Sequence, residues 1–186
     1  MEHPNRWSDV VADLDPVHQD LLFGTSLSRR FSRLPLWLSH PANIGMFYGV
    51  LISLALIFPY ILRYDNLNES FSNWLLFSSL FMVACLVLGF CSLILVSLSK
   101  RMPMAPPRIL LYPMPFLGIG LLGLDFSNVI DVPSGVSLSV LLLPGPAYVH
   151  LSWAPRWRLL CKLDQGLNPF VGLEAKSEPP KHSADE

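Results

Sequence analysis

Charge is what this sequence has least of. Only 15% of its 186 residues are Asp, Glu, Lys or Arg, against roughly a quarter in an ordinary soluble domain. The deficit is uneven. Charges vanish from a few long windows and crowd into the segments between them, the pattern a bilayer imposes. Lys and Arg are also not in excess: the formal net charge is −1, which argues against nucleic acid as a partner because phosphate neutralisation needs a basic surface.

Cysteine is equally scarce. Cys85, Cys91 and Cys161 form an odd set without framework spacing, so a disulfide scaffold is not expected. Cys85 and Cys91, six apart, fall on different faces of a helix and read as packing residues. No apolar stretch lies near Met1, so a cleaved signal peptide is not expected and the first span directs its own insertion. There is no internal repeat, and no Ser/His/Asp, Cys/His or zinc-type motif has supporting context. The two most apolar windows carry no Asp, Glu, Lys or Arg mid-span, whereas ion-coupled carriers normally need such groups.

What is present is hydrophobic length. Residues 34–62 and 71–99 are each free of formal charge, and about 20 residues suffice to cross the hydrocarbon core. A third window, 109–124, is short and contains Pro113 and Pro115. A fourth, 132–155, holds Pro144-Gly145-Pro146 at its centre, where a straight helix loses backbone hydrogen bonds. The fold class expected is an all-α membrane protein with about four transmembrane helices, near 43–62, 74–98, 109–126 and 134–153, the fourth kinked or broken. A re-entrant pair made from the third and fourth windows is the alternative.

Segment 1–41 is expected to be cytoplasmic or interfacial, with short amphipathic helices. Ser8 is a candidate cap for a first one, with Val10, Val11 and Leu14. Asp15-Pro16 reads as N-cap and N1 of a second that carries Val17, Leu21 and Leu22 and stops at Gly24. Segment 156–186 follows the 42–155 membrane domain: a basic, aromatic stretch lying along the membrane surface, then a disordered tail from Glu174. Twelve Lys and Arg fall on the side of both termini and only Arg63 on the other. The positive-inside rule therefore places both ends in the cytoplasm of a multi-pass protein of a plasma or inner membrane.

Small residues are the candidate interaction features. Gly45, Gly49 and Ser53 recur every four residues and form one helix ridge suited to close helix approach, within the chain or between subunits. Gly118, Gly120 and Gly123 match a dinucleotide-binding fingerprint by letter but lack the strand–helix context it needs, so they too read as helix-packing residues. His40 and His150 fall at one edge and are weak candidates as ligands; no cofactor or metal is expected. The function these features suggest is a non-catalytic membrane subunit or assembly factor of a larger complex, of the secretion, conjugation or energy-transducing kind, with lipid and other membrane subunits as partners. A small transporter or channel using the broken fourth helix is the alternative.

Overall fold

The computed structural model describes residues 11, 14–106 and 111–170, and among them helices are the only regular structure. The Ser8 cap, the first residues of the third window and the tail from Glu174 lie outside the described residues. Among the described residues three helices are long and apolar enough to cross a membrane: Pro41–Arg63, Leu67–Ser99 and Gly135–Asp164. A fourth apolar helix, Pro113–Phe126, has only 14 residues, about 21 Å of rise where the hydrocarbon core is about 30 Å thick.

Two short helices precede the first long one. Asp15 accepts the Val17 N–H at 2.9 Å and Pro16 takes the first position, so α1 runs Pro16–Phe23 and ends at Gly24 as the sequence predicts. Thr25 and Ser28 form a reciprocal capping box for α2, Ser26–Ser32, satisfying two of the N–H groups a helix start leaves open. His40 accepts the Ala42 N–H at 3.2 Å and opens α3, Pro41–Ala55. The helix falters at Leu56, because Pro59 has no N–H for the Ala55 carbonyl, and resumes as α4, Ile57–Arg63.

The longest helix, α5, spans Leu67–Ser99. Its buried positions Ser78, Phe81, Cys85, Gly89, Ser92 and Val96 follow steps of three and four, the seam of a helix packed along a partner. After the short α6, Pro113–Phe126, the last long helix comes in pieces: α7 Ser134–Leu142, α8 Pro144–Tyr148, a π-helical turn Val149–Trp153 and α9 Ala154–Asp164. Leu143 keeps helical backbone angles (φ −61°, ψ −43°), so Pro144-Gly145-Pro146 kinks the helix and does not end it. Nor does the helix stop at 155. The basic stretch continues it to Asp164, and its Leu159, Leu160 and Leu163 are buried with Leu22 of α1 and with Phe170.

The outer surface is apolar along much of its length. Phe58, Leu76, Leu80 and Leu98 are each more than 60% exposed, a covering suited to acyl chains and unfavourable in water. The core divides in two: one cluster joins α1 and α2 to the end of the last helix, the other joins α3–α4, α5, α6 and α7 around Leu56, Phe81, Leu122 and Leu141.

Candidate functional site

Prolines free backbone carbonyls, and a carbonyl left unpaired in an apolar surrounding costs several kcal/mol. Here donors from neighbouring elements take up carbonyls around each irregularity. Pro155 cannot donate to Leu151, one turn earlier, and the Leu151 carbonyl accepts the Met104 N–H at 2.9 Å instead. The Tyr48 hydroxyl of α3 donates to the Leu141 carbonyl at 2.6 Å, just before Pro144-Gly145-Pro146. The Trp74 indole donates to the Ser53 carbonyl at 2.7 Å, ahead of the Leu56 irregularity.

The same device ties the two ends together. Trp153 and Trp157 donate to the carbonyls of Ser39 and Leu36 at 2.6 and 3.0 Å, so the turn before α3 hangs from the last helix. Arg158 donates to the carbonyls of Val96 and Arg101 at the end of α5. Arg156, only 4% exposed, donates Nε to the Leu21 carbonyl at 3.0 Å and Nη1 to the carbonyl and hydroxyl of Ser152. Tyr48, Tyr148, Trp153 and Arg156 are the residues sequence reasoning missed. A usable signal existed for the aromatic ones, since a Tyr or Trp inside an uncharged window must find a polar partner for its O–H or N–H.

The predicted ridge lies inside the chain. A Cβ at Gly45 would stand 2.6 Å from the Cys85 carbonyl oxygen, and one at Gly49 3.1 Å from Met82 Cα. Ser53, next on the ridge, is buried and its carbonyl holds Trp74. From the other side, Gly89 of α5 meets Ala42, where an added Cβ would come within 2.7 Å of Cα. The α3–α5 pair is thus a backbone-to-backbone contact made possible by glycine on both helices.

The second set of glycines divides. Gly118 packs on Leu141 of α7, with 2.7 Å between an added Cβ and Leu141 Cγ. Gly120 and Gly123 have nothing within 4 Å of an added Cβ. They are three residues apart, hence neighbours on the helix surface, and they face away from α7. Among the described residues Gly145 is the tightest glycine: an added Cβ would overlap the Tyr48 ring, nearest Cδ1 and with Cγ at 2.5 Å.

The two histidines sit in different elements. His40 caps α3 and packs its ring on Trp157 (centroids 4.8 Å) and Phe90 (5.2 Å), while His150 lies in the π-helical turn. Among the described residues no group of three His, Cys, Asp or Glu could hold a metal ion. Burial lowers the His40 pKa from 6.5, as its cap requires, because Nδ1 must stay unprotonated to accept the Ala42 N–H. The unfolded chain then takes up a proton that the folded chain refuses, so this contribution to stability is full above about pH 6.5 and is lost as pH falls toward the folded-state pKa. Thermal unfolding in detergent should show wild-type stability falling from about pH 7.5 to about pH 5. His40→Asn, which keeps a capping side chain but cannot titrate, should flatten that slope; an unchanged slope would refute the assignment.

On the far side, Arg63 lies over the Phe126 ring at 4.2 Å and Asp125 accepts the Val132 N–H at 3.2 Å, closing the turn between α6 and α7. No family model matches this sequence, and no curated protein or solved structure is significantly similar to it.

Proposed function

We propose that this chain is a non-catalytic integral membrane subunit or assembly factor of a larger membrane complex, with both termini in the cytoplasm. The observation that carries the reading is the outward pair Gly120 and Gly123 on the short α6. Glycine costs a helix about 1 kcal/mol relative to alanine, a cost that close helix contact offsets at Gly45, Gly49, Gly89, Gly118 and Gly145. At Gly120 and Gly123 nothing in the described chain offsets it. Beside them Phe116 and Leu117 are 75% and 59% exposed, so the face combines a backbone notch with a large apolar flank, the form a second transmembrane helix packs against.

The twelve-to-one distribution of Lys and Arg supports the orientation. A small α6 with its own partner helix also gives the third window a reason to be short: protein contact substitutes for part of its lipid contact. The transporter alternative required backbone groups opened to a solute path at Pro144-Gly145-Pro146. Tyr48 packs its ring on Gly145 and donates to the Leu141 carbonyl beside the kink, an arrangement that favours the subunit reading.

The test is the double variant Gly120→Leu with Gly123→Leu, expressed in native membranes and extracted in mild detergent. Monomer stability should stay within about 0.5 kcal/mol of wild type or rise slightly, while the larger assembly seen for the wild type should be lost. A wild-type chain that runs as a clean monomer without partners, or an assembly indifferent to both leucines, would overturn the proposal.

A further inference from the structure

The end of α2, the turn after it and the first turns of α3 enclose a cleft of about 580 Å³. Phe31 and Leu34 line it from the α2 side, Phe47 and Val50 from α3, and Trp37 from the turn between, and almost the whole wall is apolar. Side-chain donors hold that turn in place. Trp157 takes the Leu36 carbonyl, Asn43 the Trp37 carbonyl at 2.9 Å and Trp153 the Ser39 carbonyl, so the cleft is a fixed feature of the fold and can be filled without rearrangement. From Phe47 an exposed apolar stripe of Leu51, Leu54 and Phe58 continues along α3 into α4, a rise of about 17 Å. The cleft therefore opens onto surface already suited to acyl chains.

Basic groups stand beside this apolar wall. Arg30 and Arg33 each precede a lining residue, Phe31 and Leu34, and lie three positions apart, neighbours on one helix face. Both are exposed, and among the described residues neither side chain makes a hydrogen bond or an ion pair. Arg29 differs, giving its Nε to the Phe23 carbonyl at 2.8 Å. Trp37 is 73% exposed. Trp74, Trp153 and Trp157 each donate the indole N–H to a carbonyl, whereas that of Trp37 has no partner among the described residues. One free indole N–H and two free guanidinium groups beside an apolar cleft match an acyl chain that carries an acidic headgroup. A water-soluble anion would leave the apolar wall unused, and a neutral lipid would leave the two charges unanswered.

We propose that this cleft seats one anionic phospholipid, with an acyl chain against Phe31, Phe47 and Val50 and on along the stripe toward Phe58, and its headgroup at Arg30, Arg33 and Trp37. The Trp37 N–H meets the phosphodiester, which every phospholipid has. The arginines select by net charge, because a zwitterionic headgroup carries its own cation beside the phosphate and that cation opposes theirs. The site shares no residue with the Gly120–Gly123 face and needs no partner subunit, so a chain without partners tests it equally well.

The test presents the full-length protein in mild nonionic detergent with phosphatidylglycerol or phosphatidylcholine of matched chains, and reads bound lipid by native mass spectrometry and by the shift in thermal unfolding. The wild type should hold phosphatidylglycerol better than phosphatidylcholine by roughly tenfold or more, at about fivefold for each arginine. Arg30→Gln with Arg33→Gln should abolish that preference and leave phosphatidylcholine within about twofold of wild type. Lys100→Gln with Lys162→Gln removes the same charge from exposed positions that do not line the cleft, and should keep most of the preference. Trp37→Phe removes a donor common to both lipids and should weaken both by roughly two- to tenfold, the worth of one hydrogen bond. Val50→Trp, which fills the cleft, should also weaken both. Equal retention of the two lipids by the wild type, or a preference that survives the arginine pair, would overturn the proposal. A preference lost as fully with the lysine pair would replace the site by diffuse surface charge, and an equal thermal shift from millimolar inorganic phosphate would replace the lipid by a small anion.

Discussion

Gly45→Leu will destabilise the detergent-solubilised chain by about 3 kcal/mol, at the upper end for overpacking a close contact. Gly49→Leu should follow closely behind. The reason is what a side chain there would strike. Above Gly45 stands the Cys85 carbonyl oxygen, and above Gly49 the Met82 Cα. These are backbone atoms of the longest helix, so no rotamer change makes room and α3 and α5 must part. Their separation would also loosen the contact of Ala42 with Gly89 and the bond from Trp74 to Ser53. Gly123→Leu is the matched control, since its added atoms enter open space. Chemical unfolding followed by far-ultraviolet circular dichroism reads all three. A cost below about 1 kcal/mol for Gly45→Leu, or a cost for Gly123→Leu as large as for Gly45→Leu, would show that the two helices do not meet as described.

The contrast between these glycines marks how far the sequence could be read. Uncharged windows located the helices because absence of charge is a local, contiguous signal, and Asp15-Pro16 located the start of α1 because a cap is written in adjacent residues. The four-residue repeat of Gly45, Gly49 and Ser53 announced a packing face. It could not say which helix would cover it, since that depends on residues about 40 positions away in α5. Gly118, Gly120 and Gly123 looked alike on paper, yet a helix turns 100° per residue and only Gly118 faces α7. The last helix runs on past its uncharged window, through 155 to Asp164. Charge there suggested a surface segment, whereas Arg156 is buried by bonding carbonyls of Leu21 and Ser152. Bonds from a side chain to a distant carbonyl leave no periodic trace, and most of the contacts that position the candidate sites are of that kind.

One such contact supports a prediction that no single substitution could establish. Gly145→Ala should cost about 2–3 kcal/mol, because even one methyl group enters the Tyr48 ring near its root. That ring cannot swing aside without giving up the hydroxyl bond to the Leu141 carbonyl. Tyr48→Phe removes the bond but leaves the obstacle. It should cost about 1 kcal/mol, in the range measured for hydrogen bonds between membrane helices, and should not rescue Gly145→Ala. Tyr48→Ala removes both bond and obstacle, at about 3–5 kcal/mol for the cavity left behind. In that background the alanine at 145 has space to occupy, and its additional cost should fall below about 1 kcal/mol. The cycle should therefore show a coupling of at least about 1 kcal/mol between positions 48 and 145. Coupling of that sign requires the α3 tyrosine to lie against the kink. Additive costs in the Tyr48→Ala background would show that the two residues do not meet as described.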